Sequence, residues 1–194
     1  MHAVSRPLKV FPALVIVLIV TFVLVLSGSV RTAYAATARE VDMSVDVALE
    51  RFYKEVKGAG EFTKSAKGML VLPNVIKGGF VFGAEYGEGA LRIDGKNVDY
   101  YSIAAGSFGL QIGAEKKDIV IIFMTDESLK GFRASSGWET GVDGNIALIE
   151  VGAGGRLDTT TLKEPIVAFV FGVKGLMADV SLKGSKFTKI YLQK

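Results

Sequence analysis

From Lys67 to Leu91 the chain reads KGMLVLPNVIKGGFVFGAEYGEGAL. Apolar runs of strand length lie between glycines and one proline. Such punctuation makes strands and turns and defeats a helix, whose interior loses about 1 kcal/mol to each glycine and about 3 to a proline. Two later runs, Ile119 to Met124 (IVIIFM) and Ile166 to Phe171 (IVAFVF), are apolar at every position. Neither alternates, so both are expected at the centre of the core, buried on two faces. Val81–Glu85, Gln111–Glu115 and Val170–Lys174 share a strand–glycine–strand form, and Gly83, Gly113 and Gly172 are expected to mark bulges or bends. Their uneven spacing excludes a solenoid. Asp94-Gly95 and Asp143-Gly144 read as two-residue hairpin turns, where glycine takes a positive φ at no steric cost.

Helical spacing is confined to shorter stretches. In Ala38–Val56, residues Val41, Val45, Ala48, Leu49, Phe52 and Val56 recur on one side, and Gly58 and Gly60 end the pattern. Glu61–Lys67 predicts a short second helix. Thr125–Ser135 predicts another, capped by Thr125 or Asp126, with Leu129 and Phe132 facing inward. The fold class is therefore α+β: a strongly curved or barrel-like antiparallel β-sheet with an N-terminal amphipathic helix and one or two further helices.

The first residues have a different character. Met1–Lys9 holds Arg6 and Lys9 and no acid, Val10–Leu26 is apolar apart from Pro12 and Thr21, and Ala33-Tyr34-Ala35 follows. A basic start, an apolar middle and an A-x-A end define a signal peptide, residues 1–35, with cleavage expected near Ala35. The apolar run falls short of the ~20 residues of a spanning helix. The protein is thus expected to be exported, to the periplasm or beyond the cell. Residues 36–194 form one domain, long enough to bury a core without staples. Arg6, Lys9 and Arg31 account for the whole net charge of +3, so the remainder balances 20 basic against 20 acidic residues. A neutral domain has no global attraction for nucleic acid.

The chain has no cysteine, and its one histidine, His2, lies in the leader. Disulfides, a lipid-bearing N-terminal cysteine, a Ser-His-Asp triad, a Cys-His nucleophile and a His/Cys zinc site are all ruled out for the mature domain. Gly152-Ala153-Gly154-Gly155 runs into Arg156-Leu157 instead of Gly-Lys-Ser/Thr, and Gly83–Gly89 lacks the third glycine of a dinucleotide loop. No cofactor, metal site or catalytic residue is assigned. Glu85 and Glu88 are the one pair of acids that a carboxylate-based hydrolase could use. Trp138, the only tryptophan, reads either as a packed aromatic or as a membrane-interface or ligand-stacking residue.

The Lys67–Leu91 run, YYSIAAGSFGLQIGAE (Tyr100–Glu115), FMTDESLKGFRASSGWETGVDG (Phe123–Gly144) and PIVAFVFGVKGLMADVSLKGSKFTKI (Pro165–Ile190) together resemble the SYLF domain. That lipid-binding module is found in bacterial envelope proteins and in some eukaryotic membrane-trafficking and actin-regulating proteins. The resemblance runs from about Gly60 to Ile190 and implies lipid binding. In eukaryotic members an amphipathic N-terminal segment with basic residues contacts phosphoinositides. The equivalent here, Ala38–Lys67, sets Asp42 and Asp46 on one border of its apolar face and Glu55 on the other. A helix lying in a membrane prefers lysine and arginine at those borders, so packing against the protein itself is expected. The candidate lipid-binding residues are Lys64, Lys67 and Lys77 around the first strand, Lys183, Lys186 and Lys189 near the C-terminus, and Trp138. At Lys183 the family often carries an acid.

The leading expectation is a non-enzymatic exported protein that associates with anionic phospholipid, another amphiphile or the envelope surface, with a protein partner in the envelope as a further possibility. The alternative is a module holding a small apolar ligand inside the curved sheet. A hydrolase built on Glu85 and Glu88 is a distant third.

Overall fold

The structure is a computed structural model that describes residues 36–79, 82–108, 113–151, 163–175 and 181–193. The leader with its cleavage point, and the Gly152–Gly155 run, lie outside the described residues.

Helix α1 (Ala38–Glu55) opens on a capping box. The Thr37 hydroxyl accepts from the Glu40 N–H, and the Glu40 carboxylate accepts from the Thr37 N–H at 2.7 Å. Two of the donors that a helix start leaves unpaired are thereby satisfied. Gly58, with φ 82, turns the chain into α2 (Ala59–Ser65), two residues earlier than the spacing predicts. The strands are β1 (Gly68–Gly79), β2 (Phe82–Ile93), β3 (Lys96–Phe108), β4 (Gly113–Phe123), β5 (Trp138–Glu139), β6 (Ala147–Glu150), β7 (Ile166–Gly175) and β8 (Lys186–Ile190). Helix α3 (Asp126–Ala134) follows β4, with Thr125 accepting from the Ser128 N–H as its cap.

All eight strands form one sheet in the order β5-β8-β3-β2-β1-β4-β7-β6. Every pairing is antiparallel except β6 with β7. The sheet curls into a half-barrel. Trp138 from one edge strand and Leu148 from the other belong to the same apolar cluster, which requires that curl. The two uninterrupted apolar runs lie in β4 and β7 and are buried, as expected, from Ile119 to Phe123 and from Ile166 to Phe171.

Each face of the sheet has its own core. On the inner face, α3 lays Leu129 and Phe132 against Tyr101, Phe123, Trp138 and Phe187. On the outer face, α1 and α2 cover Val71, Ala90, Val120, Val167, Phe169 and Phe171. Phe52 packs edge-on against Phe169 at 5.3 Å, and Phe62 does so at 5.2 Å. Both helical layers sit toward the end of the sheet that carries the Asp94-Gly95 turn. The opposite end, where Gly79 pairs with Gly83 and Gly113, Phe82 with Phe108 and Gly175 with Glu115, extends beyond them. The two ends of the domain meet: the Ala38 N–H donates to the Gln193 carbonyl at 2.9 Å.

The turn expectations divide. Asp94-Gly95 does join β2 to β3, with φ of 49 and 75. Asp143-Gly144 joins no hairpin. It lies in a short loop where Gly141 takes the positive φ, the Asp143 carboxylate accepts from the Glu139 N–H, and Gly144 lies close against the Trp138 ring. Gly172 marks a bulge, with φ 62 and a register shift opposite Lys116 and Asp118, whereas Gly83 stays in regular register with Gly79 and Ser107. A further irregularity, which shifts the register with both neighbouring strands, falls at Pro73-Asn74. Proline has no ladder donor, so β1 bulges there, and Asn74 takes φ 55.

Candidate functional site

The apolar side of α1 is buried, and the acids on its border are engaged with the sheet. Asp42 accepts from the Asn97 side chain at 2.7 Å and from the Tyr100 hydroxyl at 3.0 Å, and Asp46 accepts from Arg92 at 2.8 Å. Burial, reinforced by Asp42, raises the Tyr100 hydroxyl above its ordinary value. The helix is therefore packed, not exposed for insertion. Arg51 reaches from α1 to Asp118 on β4 at 2.7 Å, and Asp118 also accepts the N–H of Asn74 in the bulge at 2.8 Å. One buried carboxylate thus ties α1, β1 and β4 together.

A second cluster lies on the inner face beyond α3. Lys117 is fully buried, 2.9 Å from Glu85 and 3.5 Å from Glu115. Lys77 is buried in register between the same two glutamates. Two lysines and two glutamates from three strands form a formally neutral knot. The inside of the sheet, expected as the place for a small apolar ligand, is filled by aromatic rings around α3 and lined by charge farther along.

The expected pair of acids does not exist. Glu85 and Glu88 are three residues apart on a strand, so they point to opposite faces. Glu85 is committed to Lys117, while Glu88 accepts from the Tyr86 hydroxyl at 2.6 Å on the outer face. Burial, with Glu88 beside it, pushes Tyr86 up to about 12.

The candidate lipid-binding residues do not share a surface. Lys64 pairs with Glu61 at 2.8 Å, Lys67 lies 3.8 Å from Asp126, and Lys189 pairs with Asp99, which also holds Arg133. Lys77 is buried. Trp138 is 4% exposed, packed on Phe132 and Phe187, so its ring serves the core and presents nothing to a membrane. Lys186 and Lys189 face opposite sides of β8. Lys183 and Lys186 are exposed and make no ion pair among the described residues. Two cations that sequence reasoning missed, Lys116 on β4 and Lys174 on β7, are also exposed and lie opposite each other in register. Their strand positions give the signal: both fall on the outer face of buried strands, past the reach of the helices.

Fold and side chains define an α+β domain with a curled sheet, whose buried charges tie strands and helices together. Residues 104–190 match the family model described as Ysc84, Las17-binding protein actin regulator. That match spans β3 to β8 and is shorter than the stretch of sequence resemblance. Over 127 residues the chain is 34% identical to the SH3 domain-containing YSC84-like protein 1 of Homo sapiens and of Pongo abelii, and 33% to that of Mus musculus. The alignment covers 62% of this chain and 36% of each relative, so the chain spans about a third of their length. The chain is a distant homologue of the YSC84-like proteins, with a Ysc84 (SYLF) domain match at residues 104–190.

Proposed function

We propose that this protein is a non-enzymatic, exported domain that associates with an anionic lipid or envelope surface. The observation that carries this reading is an asymmetry of pairing. Toward the end of the sheet that the helices leave bare, the inner and outer acids Glu85, Glu115 and Asp118 are buried beside cations, whereas Lys116, Lys174 and Lys186 stand exposed without an ion pair among the described residues. A balanced chain therefore presents a locally positive surface. At about 1 kcal/mol per basic residue near an anionic membrane, three lysines supply about 3 kcal/mol, weaker than millimolar binding by themselves. Apolar contact has to add the rest.

Co-sedimentation with vesicles is the test. The protein should pellet with phosphatidylglycerol-containing vesicles at low salt, less so as salt rises, and little with phosphatidylcholine alone. Equal failure with both vesicle types would overturn the proposal. Export predicts an intact mass that lacks residues 1–35, and a mass retaining them would refute cleavage. The description of the matched family supports a second reading, docking on a protein; recovery of one stoichiometric envelope protein by crosslinking, with no lipid binding, would favour it.

A further inference from the structure

We infer that the docking surface is the outer face of the sheet beyond α1, and that it meets an anionic lipid bilayer face-on; this rests on the proposed lipid association. Register assembles the surface. Ile76 on β1 lies opposite Tyr86 on β2 and Lys116 on β4; Tyr86 lies opposite Ala104 on β3, Ala104 opposite Lys186 on β8, and Lys116 opposite Lys174 on β7. Directly paired residues share a face, so one row runs Lys186, Ala104, Tyr86, Ile76, Lys116, Lys174. At about 4.8 Å per strand it spans roughly 24 Å. Its middle is apolar; Lys116 and Lys174 flank it on one side and Lys186 on the other, where the next residue in register is Glu139 on β5.

The apolar part continues on either side of the row. Ile76 and Tyr86 are 57% and 52% exposed, and Phe82, on the same side of β2 at its tip, is 75% exposed. Toward the helices, α1 turns Met43 and Val47 outward, each more than half exposed, over a groove shared with Asn74, two residues from Ile76. An aliphatic and aromatic strip of this kind, flanked by lysines, suits the boundary between acyl chains and anionic headgroups. Of the acids near it, Glu88 is committed to the Tyr86 hydroxyl and Asp118 to Arg51 and Asn74, while Glu139 on β5 lies opposite Lys186 and offsets that end of the row, so the surplus positive charge sits on Lys116 and Lys174. Charge complementarity thus selects an anionic bilayer.

The chain has no cysteine, which makes single-site labelling clean. Ile76→Cys and Tyr53→Cys, the latter on the other flank of α1, each carry an environment-sensitive dye. On vesicles of equal phosphatidylcholine and phosphatidylglycerol, the dye at position 76 should shift to the blue and the dye at 53 should not. Replacing Lys116, Lys174 and Lys186 together by glutamine should weaken vesicle binding about 100-fold, while Lys54→Gln with Lys130→Gln leaves it unchanged. If the parent protein pellets but the triple variant pellets equally and position 76 stays unshifted, this surface is refuted and lipid association stands. If the parent binds no vesicle, the lipid reading itself fails. A shift at position 76 that follows protein concentration without vesicles would assign the face to a second copy and overturn the inference.

Discussion

Lys117→Met removes the one fully buried cation beside Glu85 and Glu115. At 2.9 and 3.5 Å, with an effective dielectric near 20, the two attractions are worth about 6 and about 5 kcal/mol. Most of this is cancelled by the cost of drying three ions, so the net worth of the knot is small. Removing one member is different. Glu85 and Glu115 stay buried, at 5% and 2% exposure, facing Lys77 alone. Breaking a buried ion pair from one side costs about 3–5 kcal/mol, a large share of the roughly 5–15 kcal/mol that holds a domain. At about 2–4 °C per kcal/mol for a domain of this size, the midpoint should fall by roughly 6–20 °C. A thermal melt measures that shift, and urea unfolding followed by circular dichroism measures the free-energy loss, with an unchanged slope required. Adding Glu115→Gln alone to Lys117→Met should recover at least half of the loss, because Glu85 and Lys77 then remain as a neutral buried pair. A single variant within about 1 kcal/mol of the parent, or a Lys117→Met/Glu115→Gln variant that loses still more, would refute the argument that the stranded charge sets the cost.

Two further outcomes follow from packing and from pH. A methyl group on Gly89 would lie 1.9 Å from the Val71 carbonyl oxygen and 2.8 Å from the Leu72 Cα, so Gly89→Ala should cost about 3 kcal/mol or more, whereas Gly60→Ala, in open helix, should gain about 0.5–1 kcal/mol; thermal melts of both compare them directly. Tyr101 is buried, its hydroxyl without a hydrogen-bond partner among the described residues, and burial, with Asp99 next, pushes it up to about 12. Its raised value means stability is full below pH 10 and falls between about 10 and 12, as the unfolded chain ionises first. Tyr101→Phe should flatten that fall and raise neutral-pH stability by about 1 kcal/mol; an unchanged alkaline limb in urea titrations across that range would contradict the assignment.

The helices and the central strands were legible because each carries its own period. Val41, Val45, Leu49 and Phe52 announce α1 whatever lies beneath them, and β4 and β7 announce burial by having no polar side. Even the acids at the border of α1 pointed to packing, although their partners Asn97, Tyr100 and Arg92 lie about fifty residues away and only register reveals them. What stayed hidden depends on pairing. Lys77, Glu85, Glu115 and Lys117 read in one dimension as ordinary solvated charges, and three strands must align before they become a knot. Asn74 takes its left-handed backbone because Pro73 breaks the ladder and Asp118 waits opposite. Trp138 was open between core and surface until the curl of the sheet brought Phe132 and Phe187 against it.

The hydrogen bond from Ala38 to Gln193 makes the domain nearly a closed loop. Any segment joined ahead of α1 and any segment joined after β8 leave from a single corner. The domain can then be inserted into another protein as a pendant, without pulling its host's ends apart. It can also be cut elsewhere and rejoined here: a permutant opened at Asp94-Gly95, with a short linker from Gln193 to Ala38, keeps both cores and all eight strands.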